Sequence, residues 1–379
     1  MIMKRPLILL ILFSAISISA QEKVKVTLEI ISPTLDDSAK IYVAGNIEEL
    51  GNWNPSKVML DNRNNRSWRK TIEVIKGTRL EYKFTKGSWA TEALGSDSFV
   101  PQNSVLIANN DTTVLKTILN WRDKFNFKVA GQITGKVESY KNFTIEGLKP
   151  RDIIIWLPPN YERESDKRYP VLYMHDAQNI FDPRTSNTFI DWQADETADS
   201  LIRNNEIEPI IIVGLNNTDD RSVEYSDTPL GHLYMNLIIE KVKPFVDSKY
   251  RTLPERNNTA VGGSSMGGLI SMMCAWEHPE VFSKAACFSP AFKISGIDYV
   301  EKILKYDGPK KNIMLYIDNG GVGLEAQLQT GVDEMISALK EKKYEEEIDF
   351  FVFIDKTASH NEAAWAKRVW RPLEIFFGK

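Results

Sequence analysis

Cysteine is nearly absent from this chain. Cys274 and Cys287 are the only two in 379 residues, too few for a disulfide framework. Both fall in apolar runs, which predicts buried free thiols, with a single bridge as the alternative. Histidine is scarce as well, at four residues. No His/Cys cluster has metal-ligand spacing, so neither a metal nor a cofactor is expected. Charge of one sign is not in excess: 47 Lys and Arg stand against 51 Asp and Glu, for a net −4 without large blocks. That excludes the electrostatic footprint of a nucleic-acid or anionic-membrane partner. Beyond residue 20 no hydrophobic run reaches membrane-spanning length, so no stable membrane insertion is expected. Oligomeric state leaves no mark in the composition.

What is present is ordinary globular sequence, 42% hydrophobic and 26% charged, long enough for two domains. Residues 1–20 differ in kind. Lys4-Arg5 precede an apolar run from Pro6 to Ile18, and Ser19-Ala20-Gln21 follows. This reads as the n-region, h-region and cleavage site of a secretory signal peptide. Ile18, third before the cut, departs from the ideal. The expectation is a secreted or periplasmic protein.

Residues 22–120 read as all-β. Val24–Ile31 and Ala39–Ala44 alternate, and Thr71–Ile75, Leu80–Phe84 and Thr113–Ile118 follow between turn residues. Short strands at this spacing predict a β-sandwich. The motifs between them recur in one order: Tyr42-Val-Ala-Gly-Asn46, Glu49-Leu-Gly-Asn-Trp53, Trp68, Leu80-Glu-Tyr-Lys-Phe84 and Gly87-Ser-Trp89. This stretch resembles a starch-binding-type carbohydrate-binding module. The resemblance implies a platform of Trp53 and Trp89 that stacks on sugar rings, whose axial C–H faces are apolar. Trp89, in a polar turn, is the residue expected to be exposed; Trp68 reads as core. A short link of residues 119–130 follows, without the Gly/Ser bias of a flexible tether, so the two domains are expected to pack together.

From residue 131 to 379 strand-like and helix-like runs alternate, which predicts an α/β class, doubly wound sheet with ligands at the C-terminal strand edge. Within it Gly263-Ser-Ser-Met-Gly267 fits G-x-S-x-G with Ser265 at the centre. A β-type run precedes it and a helix-type run follows, the strand–turn–helix that a nucleophile elbow requires. The N–H of Met266 would then face a developing oxyanion. A serine needs a base and an orienting acid, in the chain order Ser, acid, His. His175 and His232 precede Ser265, and His278 lies too close in sequence. His360 follows the last predicted strand and is the candidate base. The acid belongs in the loop after Asn312–Asp318; Glu325 is preferred, with Asp318 as the alternative. The second oxyanion donor is expected at Ala177 and Gln178, after the strand that ends at His175.

Residues 131–377 resemble an esterase family of α/β-hydrolases that includes feruloyl and acetylxylan esterases and enterobactin-type siderophore esterases. The matching pieces include Leu157-Pro-Pro-Asn-Tyr161, Tyr169–Asp182, Gly263–Gly268, Phe288-Ser-Pro290 and His360-Asn361 with Trp365. Ala177 departs from the glycine usual there. By this resemblance Trp192, Arg221, Glu224 and Tyr225 could line the substrate pocket or serve the structure. The reading is a serine esterase acting on acyl (acetyl or feruloyl) groups of a poly- or oligosaccharide. Its rivals are a siderophore tri-esterase and a catalytically silent carbohydrate-binding protein.

Overall fold

A computed structural model describes residues 22–95, 100–101, 103–124, 131–186 and 188–379. The predicted signal-peptide segment and residues 125–130 of the predicted link lie outside these residues. Among the described residues no helix is long and apolar enough to cross a membrane.

The N-terminal part is a sandwich of two four-stranded sheets. In one, Lys23–Ile31 lies between antiparallel Ser67–Ile75 and parallel Thr112–Thr117. In the other, Thr78–Thr85 lies between Tyr42–Gly45 and Ser104–Ala108. Period-two alternation turns Val24, Val26, Leu28 and Ile30 inward, where they meet Val43, Leu80, Phe84 and Trp68. Trp68 is buried, as its sequence context suggests, and its indole N–H donates to Ala39 O at 2.9 Å. Trp53 and Trp89 are both half-buried, so Trp89 is less open than its polar turn implies. Trp53 sits at φ 62° in the turn after Gly51.

The second part carries an eight-stranded sheet. Its strands are numbered here β1 (Lys136–Phe143), β2 (Arg151–Leu157), β3 (Val171–His175), β4 (Ile211–Leu215), β5 (Thr259–Ser264), β6 (Lys284–Phe288), β7 (Met314–Asn319) and β8 (Phe350–Ile354). Their spatial order is β1-β2-β4-β3-β5-β6-β7-β8. From β4 onward all pairings are parallel, and β3, β4 and β5 are buried along their whole length, as both-face burial requires. The sheet is not parallel throughout, however: β1 and β2 run antiparallel to their neighbours. The sequence reading passed over β1. Its pattern is half exposed, with a register shift between Tyr140 and Phe143 and Asn142 at φ 62°.

The helices that bear on the site are α1 (Ala194–Arg203), α2 (Met266–Glu277), α3 (Leu324–Glu341), α4 (Glu362–Ala366) and α5 (Trp370–Phe377). The C-terminal run from Glu362 to Phe377 thus forms two helices, broken at 367–369. Apolar clusters cover both faces of the sheet. Cys274 and Cys287 are both buried and free.

Candidate active site

The turn from β5 into α2 carries Ser265 at φ 60°, ψ −121°, a sparsely populated region for a residue with a Cβ, at a cost of roughly 1–3 kcal/mol. Neighbouring backbone holds it there. Ser265 N donates to Phe288 O at 2.9 Å, and Ala291 N donates to Ser265 O at 3.0 Å. Gly263 has no room for a side chain: a Cβ would stand 3.0 Å from both Gly267 O and the His175 ring.

The loop after β6 leads to the acid. Ser289 Oγ donates to Glu325 Oε1 at 2.7 Å, and Gly320 N donates to Oε2 at 3.0 Å. Glu325 begins α3, fully buried, with His360 Nδ1 3.3 Å from Oε1. That separation is a close approach rather than an aligned hydrogen bond, since Nδ1 has no hydrogen-bond partner. Burial works to raise the Glu325 carboxyl, but His360, Ser289 and Gly320 outweigh it and hold the group below its ordinary value. Trp365 meets the His360 ring edge-on at 4.9 Å and donates to Ser289 Oγ at 3.0 Å.

Asp318, the alternative acid, is occupied elsewhere. Arg368 Nε donates to its Oδ2 at 2.8 Å, Tyr316 OH to Oδ2 at 3.0 Å and Ser289 N to Oδ1 at 2.9 Å. Desolvation pushes its carboxyl up to about 6 against the pull of Arg368. With this many donors the ionised form is the one the site accommodates at neutral pH. Arg368, Ser289 and Trp365 were not singled out from sequence as partners of the acids. The Phe288-Ser-Pro290 motif and Trp365 were the available signals.

After β3, Asp176 takes a left-handed conformation (φ 62°) and opens a short 3-10 turn, Ala177–Asn179. Arg221 grips Asp176 with two bonds, Nε to Oδ1 at 2.8 Å and Nη2 to Oδ2 at 2.7 Å, and reaches Ser264 O at 3.3 Å. It thus clamps the Ala177–Gln178 turn to the elbow. Gln178 Oε1 accepts from Asn217 N at 3.3 Å. The methyl of Ala177 fits because Gly214 lies opposite, where a Cβ would come within 2.7 Å of it. His175 is buried and pushed down to about 3 by desolvation, a neutral ring whose Nδ1 lies 2.8 Å from Tyr234 OH.

The remaining lining candidates are placed differently. Glu224 is buried and doubly bonded to Arg151, at 2.6 and 3.0 Å. Tyr225 is fully buried against His175 and Tyr234. Trp192 packs in the core against Phe288 and Trp365. These three hold the site's walls from behind rather than facing solvent. The buried Glu362, which sequence reading passed over, accepts from Asn179 at 3.2 Å and from Thr188 at 2.9 Å. Beside it the two parts of the chain meet: Arg122 donates to Ser186 O at 2.8 Å and stacks over Phe189.

Residues 23–117 match the starch binding domain family, and residues 148–371 match the family described as "Putative esterase". The endo-1,4-beta-xylanase/feruloyl esterase of Xylanibacter ruminicola is 22% identical over 229 residues, 59% of this chain and 29% of that protein. A ferulic acid esterase structure superposes with a TM-score of 0.53 at 19% identity, over 64% of this chain and 98% of its own. The enterobactin esterase of Shigella flexneri superposes at 0.54 and 11% identity, over 95% of this chain and 94% of its own. At such identities the structural likeness speaks to the fold. The family match spans more than half of the sequence, so the chain belongs to the "Putative esterase" family and is a carboxylic ester hydrolase.

Proposed function

We propose that this chain is an exported serine esterase that removes acyl groups, acetyl or feruloyl, from a poly- or oligosaccharide. The observation that carries the reading is the strained Ser265, joined through the Phe288–Ala291 loop to a buried Glu325 that contacts His360. In this mechanism Ser265 Oγ attacks the ester carbonyl while His360 takes its proton. The Met266 N–H and those of Ala177 and Gln178 stabilise the tetrahedral oxyanion. Collapse breaks the acyl–oxygen bond, and His360 returns the proton to the departing sugar alcohol. Water, deprotonated by His360, then attacks the acyl-serine and releases the acid. Glu325 orients His360 and stabilises the imidazolium. Export is supported by the pattern of residues 1–20, and sugar esters are favoured by the module matching residues 23–117.

Purified protein should turn over p-nitrophenyl acetate, and Ser265→Ala should lower kcat by roughly 10⁴-fold or more. Equal rates for the two proteins would sink the proposal. A screen across acetyl, feruloyl and catecholate esters separates the sugar-ester reading from a siderophore tri-ester. The latter draws on the whole-chain likeness to the enterobactin esterase fold.

A further inference from the structure

Away from the site just described, three acids crowd the start of α1. Asp191 and Asp195 are buried and Glu196 is half-buried, and one oxygen from each lies within 4.8 Å of the others. Acids in a first helical turn commonly answer the helix dipole, but that does not account for what surrounds these. Thr134 N donates to Asp195 Oδ2 at 2.6 Å, Thr134 Oγ1 to Glu196 Oε1 at 3.2 Å and Gln193 N to Asp191 Oδ2 at 3.3 Å. Asp195 is 0% exposed, yet its Oδ1 has no hydrogen-bond partner, and neither has Glu196 Oε2. The Asp195 and Glu196 carboxyls lie beside each other with no donor group between them. Among the described residues no Lys, Arg or His forms an ion pair with any of the three. The nearby Asp182, whose own charge is taken up by Arg184, adds to the negative field at Asp191.

Orphaned carboxylate oxygens are expensive to bury, and something positive must stand between them. A proton shared by Asp195 and Glu196 would answer for two of the groups. It would leave Asp191, with an oxygen within 4.8 Å of theirs, without a counter-charge. A hard divalent cation answers for all three. Calcium takes oxygen ligands at about 2.3–2.6 Å, so oxygens on opposite sides of one ion stand roughly 5 Å apart, and the three oxygens here lie within that limit of one another. Magnesium would demand a tighter, near-octahedral set.

We infer that Asp191, Asp195 and Glu196 form a structural site for a hard divalent cation of the calcium class, tying the start of α1 to the Thr134 segment. Trp192, inside the ligand run, packs on Trp365, the neighbour of His360. The ion would therefore brace the active-site wall without touching substrate.

The test is calorimetric titration of the full chain with calcium chloride after chelator dialysis, paired with thermal melts. One ion per chain should bind at this site, and calcium at about 100 times Kd should raise Tm by roughly 5 °C. Asp195→Asn, and separately Asp191→Asn, should abolish both effects while melting normally without calcium. Two results would overturn the site. One is wild-type protein that takes up no calcium and melts unchanged, which leaves the shared proton. The other is binding that persists undiminished in Asp191→Asn/Asp195→Asn, which places the ion elsewhere.

Discussion

Two groups of buried acids in the esterase part solve the same problem in opposite ways. Beside the elbow, Asp318 and Glu325 are each wrapped in donors drawn from β7, the loops after β6 and β7, and the segment after α4. At the start of α1, Asp191, Asp195 and Glu196 share three donors among them and leave two oxygens bare. The lesson is that burial alone does not say what a carboxylate is for; the inventory of its donors does. A fully satisfied acid is fixed in place and can orient another group, whereas a bare cluster asks for a counter-ion.

Within the first group, replacing each acid by its amide should separate their roles. Glu325→Gln keeps the shape but removes the charge facing His360, and kcat should fall by roughly 10³–10⁴-fold with little change in KM. Asp318→Asn should leave activity within about tenfold and act mainly on stability. If steady-state kinetics gave the opposite order, Asp318 would be the orienting acid. Next in size is Arg368→Met. It strands Asp318 without its ion-pair partner, and breaking a buried pair in this way costs about 3–5 kcal/mol, read by urea unfolding.

Acidification offers a milder probe. The folded-state value of Glu325 is depressed, so its contribution to stability is complete above its ordinary 4.5 and is lost as pH falls through the lowered value. Melts of wild type and Glu325→Gln should therefore converge as pH drops below about 4.5. A constant gap between the two curves would mean that the carboxylate gains nothing from its donors. The smallest effect is expected in the sandwich. Trp89→Ala should weaken retention on insoluble starch by about 1–2 kcal/mol, with p-nitrophenyl acetate turnover unchanged.

Much of this was legible in the sequence, for a physical reason. The elbow is a local object, in which strand, strained serine and helix occupy neighbouring residues, so Gly263–Gly267 announces it. His360 stands out because so few histidines compete; His232 and His278 are paired with nearby acids and His175 is buried. The choice between Glu325 and Asp318 was not local. It turns on Ser289 and Arg368, which lie 36 and 50 residues from the acids they serve. Glu224 stayed open between pocket lining and structure for the same reason, since its partner Arg151 is 73 residues away. The acid cluster of α1 reads in sequence as an ordinary helix start. Only the approach of Thr134, 61 residues earlier, closes the corner around it. Edge strand β1 escaped because a half-exposed strand with a bulge carries no clean alternation.

Arg122 has a practical consequence for anyone who divides this protein. It belongs to the sandwich side, where Glu92 pairs with it at 3.5 Å, yet its other nitrogen holds Ser186 and its plane covers Phe189. That loop also carries Thr188, a donor to Glu362 two residues past His360. A truncation starting at residue 131 would remove the sandwich and, in the same cut, pull a strut from the loop that holds Glu362. Any fall in rate on a small soluble ester would then measure the missing strut, and only the additional fall on polymer would measure the module.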